Sequence, residues 1–277
     1  MEDAEPEITV GGDGEPQVAV VGSIHGDEPE GAKAIERLLA EEVDYSKPVK
    51  YIVANPPALE RGVRYIDADM NRIFPGDGES DDIERRLAAR VCEETKECTS
   101  LVLHSTRSYS EPFALVSQYD PEVFELASNL PVDKVVDESA LSEGSFTRCG
   151  SVVSVECGLQ GTEEAADAAE RVVRAFLDLT GVAEMGYEPG DDAREPDYFA
   201  IGDPVPKESD MDYELLVENF VEVREGETYA RSTGEPVVAE SDFYPILMSE
   251  DGYAEVLGYR GRKVASNLED AIEHFGV

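Results

Sequence analysis

A histidine and a glutamate stand three residues apart directly after an apolar run. The run reads VAVVGSI and is followed by HGDE, which places His25 and Glu28 in one short loop. The spacing alone is weak evidence, because the chain carries 62 acidic residues. Its position is more informative, since ligand crevices of α/β proteins form at the carboxyl ends of strands. We therefore interpret both residues as candidate metal ligands at a strand end.

A second histidine ends another apolar run. His104 closes TSLVLH, and parallel strands would bring it to the same sheet edge as His25 and Glu28. Two histidines and a glutamate form a catalytic zinc set, with three protein ligands and an open position for water. The third histidine, His274, lies in the tail EDAIEHFGV, where an exposed helical residue is favoured over a ligand.

A zinc-bound water molecule also needs a general base beside it. Glu156 ends the apolar run SVVSVE, where an unpaired charge would be costly to bury. A solvated acid at a strand end is the alternative interpretation. Cys157 follows it directly, but the sequence shows no fixed base for a nucleophilic thiol.

Residues 54–76, ANPPALERGVRYIDADMNRIFPG, form a long segment of unusual local basicity. Its arginines are Arg61, Arg64 and Arg72. A guanidinium group can bind a carboxylate through two parallel hydrogen bonds, and Asn71 can add an amide donor. Long ordered loops of this kind are commonly functional. The alternative is that Asp67 and Asp69 simply neutralise the arginines.

Apolar runs alternate with amphipathic segments over most of the chain, which predicts an α/β fold with a mainly parallel or mixed sheet flanked by helices. Predicted strands lie at residues 17–24, 49–54, 99–104, 112–117, 132–136 and 151–156. Predicted helices lie at residues 32–42, 81–95 and 162–181. Residues 1–16, rich in acids, Gly and Pro, are expected to be a frayed or hairpin-like lead-in.

The composition changes near residue 186. The linker GYEPGDDAREPD precedes short β-branched runs that alternate with Gly and Pro turns. The sequence therefore predicts a main domain at residues 1–185 and a smaller β-rich C-terminal domain at residues 186–277.

The chain is strongly acidic. Its 277 residues include 62 acidic and 23 basic ones, a formal net charge of −39. Self-repulsion of this size destabilises a fold at low salt and is screened by salt, so we expect a halophilic source. The same charge would repel a nucleic-acid backbone, which argues against that partner. An anionic substrate would require arginines gathered at its binding site.

Neither a membrane span nor a signal peptide is indicated. No apolar run approaches the ~18 residues that a span requires, and we expect a soluble, cytoplasmic protein without a membrane partner. The cysteines show neither CxxC spacing nor the density of a disulfide scaffold, so all are expected to be free thiols. They are Cys92, Cys98, Cys149 and Cys157.

Four motifs occur in an order that resembles a known family. HGDE, residues 54–76, LHSTRS and VECG together resemble the succinylglutamate desuccinylase and aspartoacylase family of zinc amidohydrolases. The resemblance covers about residues 17–180 and continues more weakly into the tail, through GDPVPK and FYPILMSEDGY. It implies a zinc-carboxypeptidase-like fold, one zinc ion per chain, and a C-terminal domain that closes over the active site.

The resemblance also implies a role for each matching residue. His25, Glu28 and His104 would hold zinc. Glu156 would activate water, and Arg64 would polarise the scissile carbonyl. The implied substrate-binding residues are Asn71, Arg72, Tyr253 and, as the candidate for selecting the acyl-amino acid, Arg148. Val102 stands where the family often has an acid two residues before the later histidine, which leaves the carboxylate partner of that histidine open.

The expected reaction is hydrolysis of the amide bond of a small N-acylated amino acid, of the acetyl-aspartate or succinyl-glutamate type. The products would be a carboxylate and the free amino acid. One alternative is a metallocarboxypeptidase that acts on peptides with the same ligands. A second is a non-catalytic binding module that retains the motifs. The expected partner is a small anionic substrate, and a homo-oligomer is left open.

Overall fold

The computed structural model describes residues 4–117, 120–187, 195–208, 211–253 and 255–276. The strands are β1 (Glu7–Gly11), β2 (Val18–Gly22), β3 (Val49–Val53), β4 (Thr99–Thr106), β5 (Phe113–Val116), β6 (Lys134–Asp137), β7 (Ser151–Leu159), β8 (Asp197–Pro206), β9 (Tyr213–Leu215), β10 (Thr228–Ser232), β11 (Glu235–Val238), β12 (Tyr244–Ile246) and β13 (Val256–Ala265). The α-helices are α1 (Glu30–Leu39), α2 (Pro56–Arg61), α3 (Ile83–Thr95), α4 (Pro121–Asn129), α5 (Glu163–Leu179) and α6 (Leu268–Phe275).

Ten of these strands form one mixed sheet in the order β1-β3-β2-β4-β7-β5-β6-β8-β13-β12. Strands β3, β2, β4 and β7 run parallel, as do β5, β6 and β8, whereas β5 is antiparallel to β7. Strands β9, β10 and β11 form a smaller antiparallel sheet. The predicted α/β fold, with a large sheet flanked by helices, is confirmed.

The central strands are buried on both faces because helices cover both. Val20 of β2 packs in one core with residues of α1 and α5, and Val21 packs in another with residues of α3. Successive side chains of a strand point to opposite faces, so a continuous apolar run such as VAVVG fits a strand between two helical layers. Thr162 precedes helix α5 as its N-cap, and its side chain accepts from Ala165 N.

The C-terminal third continues the large sheet. Strands β8, β13 and β12 extend it beyond β6, and only β9, β10 and β11 form the separate small sheet. The predicted boundary between residues 185 and 186 stays a prediction, and most of the predicted linker lies outside the described residues. Among the described helices, none is long and apolar enough to cross a membrane.

Two expectations are wrong. The lead-in is neither frayed nor a hairpin of its own over its described part, because β1 pairs antiparallel with β3 at the edge of the large sheet. Cys92 and Cys149 form a disulfide, whereas Cys98 and Cys157 are free and buried. The two bonded cysteines are 57 residues apart, so only the packing of α3 against the short 3-10 helix Phe146–Cys149 brings them together.

We expect the denatured, unreduced protein to titrate two thiols with a chromogenic disulfide reagent, and the reduced protein four. Removing the bond by Cys92→Ser with Cys149→Ser should lower the free energy of unfolding by roughly 2–4 kcal/mol, because the unfolded chain loses a constraint. Denaturant titration measures this difference. Four reactive thiols before reduction would contradict the disulfide.

Candidate metal centre and active site

The loop after β2 is held against the segment that follows β3. Gly26 N donates to Arg64 O at 3.1 Å, and a Cβ atom at Gly26 would lie 2.1 Å from the carbonyl carbon of Ala58. Only glycine permits such an approach of two backbones. Ser23 Oγ donates to Glu28 O at 3.1 Å within the loop. The HGDE loop and the arginine-bearing segment are therefore positioned as one unit.

The predicted metal ligands converge at the carboxyl edge of the sheet. Glu28 Oε1 accepts from His25 Nδ1, and Glu28 Oε2 accepts from His104 Nδ1, both at 2.8 Å. One ligand atom from each of the three buried residues lies within 4.8 Å of the others. Across the described ranges, this is the one group of three His, Cys, Asp or Glu side chains that could hold a metal ion.

The charges of this group suit a divalent cation. Burial lowers the pKa of His25, but the charge of Glu28 and hydrogen bonds to Asp69 and Glu28 outweigh it and raise the pKa to about 9. Burial raises the pKa of Glu28, but the two histidines hold it well below its usual range. Two imidazole nitrogens that face one ionised carboxylate form a donor set that fits zinc, which would replace the shared protons.

Glu156 lies beside this group on the neighbouring strand. Glu156 of β7 is in register with His104 of β4. Its Oε2 is buried and has no hydrogen-bond partner in the part of the chain that the structure describes. Burial and the charge of Glu28 raise the pKa of Glu156 to about 8. Because buried polar atoms are nearly always hydrogen-bonded, this oxygen marks a place for a water molecule or a ligand group.

One cavity joins almost all of the predicted site residues. It is lined by His25, Glu28, Arg64, Asn71, Arg72, His104, Glu156 and Tyr253. Arg148 is not among the lining residues, and its side chain is exposed on the 3-10 helix Phe146–Cys149. Its neighbours Phe146 and Thr147 are buried and line the cavity instead. The structure therefore brings together every predicted site residue except Arg148.

Asp69 and Arg64 form the outer partners of the candidate metal-ligating group, His25, Glu28 and His104. His25 Nε2 donates to Asp69 Oδ1 at 3.2 Å. Arg64 Nε donates to Asp69 Oδ2 at 3.0 Å, and its Nη1 donates to Glu28 Oε1 at 3.3 Å. A carboxylate on the outer nitrogen of a metal-ligating histidine orients the ring. Asp69 is such a carboxylate for His25, whereas the carboxylate partner of His104 stays open.

Asn71 and Arg72 lie in a 3-10 helix, Met70–Arg72, at the cavity wall. Asn71 Oδ1 accepts from Phe146 N at 2.9 Å, which leaves Nδ2 as the donor of this amide group. Arg72 is exposed, and within the described residues it forms no ion pair with a carboxylate. Asp67 Oδ2 accepts from the first amide of α3 instead. Among the described residues, Asp69 therefore forms an ion pair with Arg64, whereas Arg72 forms none with an aspartate.

Glu84 holds the arginine-bearing segment, residues 54–76, in place through hydrogen bonds to its backbone. It is fully buried in the first turn of α3. Its oxygens accept from Ile66 N at 2.7 Å, from Asp67 N at 2.9 Å and from Ala68 N at 3.3 Å. Asn55 Nδ2, at the start of α2, donates to the same carboxylate at 3.3 Å. This carboxylate therefore connects both ends of the segment that carries Arg64.

The C-terminal part of the chain lines part of the cavity. Its lining residues are Leu247, Ser249, Gly252 and Tyr253. Asn219 Nδ2 donates to Ser108 O at 2.8 Å and to Met248 O at 2.9 Å, and its Oδ1 accepts from Met248 N at 2.8 Å. Burial raises the pKa of Tyr253 above its usual range, so its phenol remains a hydrogen-bond donor. Asn219 thereby joins the segment before Tyr253 to the loop after β4.

Sequence reasoning missed several residues of the site. Asp69 was interpreted only as a neutralising acid, and the backbone contacts of Glu84 leave no local pattern. Arg107 and Glu138 also line the cavity. Both follow predicted strands, so the argument that identified Glu156 at a strand end could have found them.

A mixed α/β sheet that gathers a His-Glu-His group, an unpartnered carboxylate and two arginines at its carboxyl edge fits the class of metal-dependent hydrolases. The succinylglutamate desuccinylase/aspartoacylase catalytic domain matches residues 14–180, and the chain belongs to this family. Its relatives are named amidohydrolases, aspartoacylases and desuccinylases. The protein is therefore an enzyme that acts on amide bonds.

The similarity extends over most of the chain. An N-acyl-aromatic-L-amino acid amidohydrolase (carboxylate-forming) of Xenopus tropicalis is 27% identical, over 86% of this chain and 89% of its own. A probable aspartoacylase of Nostoc sp. is 25% identical, over 86% of this chain and 92% of its own. The product-bound structure of the ectoine utilization protein EutE (DoeB) from Ruegeria pomeroyi matches with a TM-score of 0.76 at 21% identity, over 92% and 88% of the two chains. That likeness shows the fold.

We expect Glu84→Gln to loosen the segment that carries Arg64, because an amide nitrogen cannot accept from the backbone amides that this carboxylate binds. The free energy of unfolding should fall by roughly 1–3 kcal/mol, the cost of an unsatisfied buried group. Glu93→Gln, on the exposed face of the same helix, is the matched control. Denaturant titration compares the two variants, and equal stability would contradict this role of Glu84.

Proposed function

We propose that this protein is a zinc-dependent deacylase that hydrolyses the amide bond of small N-acylated amino acids. The observation that carries this proposal is the convergence of both histidine Nδ1 atoms on the two oxygens of Glu28, beside the unpartnered oxygen of Glu156. The names of the relatives support the substrate class, since they include an N-acyl-amino acid amidohydrolase and aspartoacylases. Acetyl-aspartate and succinyl-glutamate are the first substrates to test.

His25, Glu28 and His104 would hold the metal ion. When bound there, zinc would polarise the amide carbonyl and lower the pKa of a water molecule. Glu156 takes the proton of the attacking water at its unpartnered oxygen and returns it to the leaving nitrogen. Arg64 donates to the carbonyl oxygen as negative charge develops on it in the transition state.

The substrate carboxylate is bound at Asn71 and Arg72. The free amide donor of Asn71 and the guanidinium of Arg72, which forms no ion pair in the described ranges, form a clamp for one carboxylate. Tyr253, on the C-terminal side of the cavity, donates a hydrogen bond from its phenol O–H to the substrate. A metallocarboxypeptidase would use the same ligands, but the closing segment around Tyr253 and the deacylase relatives favour a small substrate. The enzymatic relatives weigh against a non-catalytic binding module.

Changing a metal ligand should remove the zinc ion, whereas changing the general base should lower turnover and leave the zinc ion bound. Purified protein should contain about one zinc ion per chain, and His104→Ala should lose most of it. Glu156→Gln keeps the side-chain shape but cannot take a proton, so zinc should stay bound while kcat falls by about 100-fold or more. Elemental analysis and deacylation assays in high salt measure both quantities.

Wild-type protein that remains without metal after zinc is added would remove the basis of this mechanism. Near-normal turnover by Glu156→Gln would assign the base to another residue. Failure to hydrolyse any N-acyl amino acid in a broad screen would favour the peptidase, which peptide substrates with free carboxyl ends would then reveal.

The two arginines should differ in their kinetic effects. Arg72→Lys keeps the charge but loses the planar fork, so we expect mainly a higher KM. Arg64→Lys should mainly lower kcat, because its donor acts on charge that develops in the transition state. Steady-state kinetics of both variants measure the separation. Wild-type kinetics combined with lower melting temperatures would show that both arginines are structural.

A further inference from the structure

The cavity continues past the metal-ligating group onto the face of the large sheet. Val102 of β4, Ser154 of β7 and Leu115 of β5 lie in register and all line it. Leu141 and Phe146 line the same cavity. These five uncharged residues form what we call the cavity floor. A charged group near this floor would decide which substrates can be accommodated there.

Glu138 supplies such a group. It follows β6 directly, and its N donates to Val116 O, the last residue of β5, at 2.8 Å. Its carbonyl accepts from Leu141 N at 2.7 Å, so one turn brings the acid and a floor residue to the cavity together. The Glu138 carboxylate has no hydrogen bond or ion pair to any residue in the described ranges. Unlike Glu84, it therefore has acceptor positions free for a ligand.

Glu138 and Arg72 present opposite charges to the same cavity without forming an ion pair in the described part of the chain. Burial raises the pKa of Glu138 to about 7, against the charge of Arg72, which lowers it. The charge of Arg72 lowers the pKa of Tyr259 and the charge of Glu138 raises it, which is consistent with a location of both charges on one side of the cavity. A ligand that carries a carboxylate and a cation can therefore compensate both groups at once.

We propose that Glu138 determines specificity and selects N-acyl amino acids whose side chain ends in a protonated amine. The α-carboxylate binds Arg72, and the amine donates a charge-assisted hydrogen bond to Glu138. A second carboxylate in the substrate, as in acetyl-aspartate, would instead meet a like charge. This inference rests on the proposed function and names its substrate class.

The test is a substrate series that varies the charge of a side chain of similar length. Nα-acetyl-ornithine, acetyl-norvaline and acetyl-glutamate have similar lengths and carry a cation, no charge and an anion. We expect kcat/KM to fall in that order at about pH 8, where a carboxyl with a pKa near 7 is mostly ionised. Calorimetric titration with the product amino acids should give the same order of affinity, independent of turnover.

Glu138→Gln removes the charge and keeps the shape. It should lower kcat/KM for acetyl-ornithine by about 10-fold to 100-fold, the range for one hydrogen bond to a charged group, and leave acetyl-norvaline nearly unchanged. Glu143→Gln removes an equal charge from an exposed residue outside the cavity and should change neither. Glu138→Lys should reverse the preference toward acetyl-glutamate.

An equal loss of kcat/KM for all three substrates in Glu138→Gln would show that Glu138 is structural and would overturn the inference. A wild-type preference for acetyl-glutamate would overturn it as well, even if no variant of Glu138 folds. In both cases the enzyme still hydrolyses N-acyl amino acids, so the proposed function stands. Absence of turnover on every N-acyl amino acid, with zinc bound, would instead defeat the proposed function.

Discussion

The site depends on one buried carboxylate, Glu28, that is shared between two histidines. Burial of a carboxylate is costly unless it is paired and hydrogen-bonded, and here both oxygens accept from imidazole nitrogens. His25 has a further partner, because Asp69 accepts from His25 and from Arg64. One possible ligand atom from each of the three residues already lies within 4.8 Å of the others. This is the arrangement that a metal ion requires.

The overall charge of −39 imposes a second constraint, since the anionic substrate that we propose must approach an acidic protein. Arg72 meets this constraint, because it lines the cavity and forms no ion pair with a carboxylate in the described ranges. Glu84 and Asp67 accept from backbone amides, and Asp69 accepts from Arg64. Arg72 is thereby left available for a ligand. A halophilic source, which would screen the remaining charge, stays a prediction.

The walls of the cavity come from segments that are far apart in the chain. The disulfide between Cys92 of α3 and Cys149 anchors the 3-10 helix Phe146–Cys149 to α3. Phe146 and Thr147 of this 3-10 helix line the cavity. Asn219 joins the C-terminal segment to the loop after β4. These connections place Tyr253 and the cavity floor around the same metal-ligating group, so access and specificity depend on the whole molecule.

The sequence by itself determined the central strands, the helices α1, α3 and α5, and the His25, Glu28 and His104 set. These follow from local patterns, because apolar runs predict strands and polar residues at their ends meet at one sheet edge. Only the tertiary structure decided the disulfide, the contact of Asp69 with His25, the hydrogen bonds from backbone amides to Glu84 and the position of Arg148 outside the cavity lining. Each of these depends on which segments pack together and how their backbones approach, and no local periodicity records that.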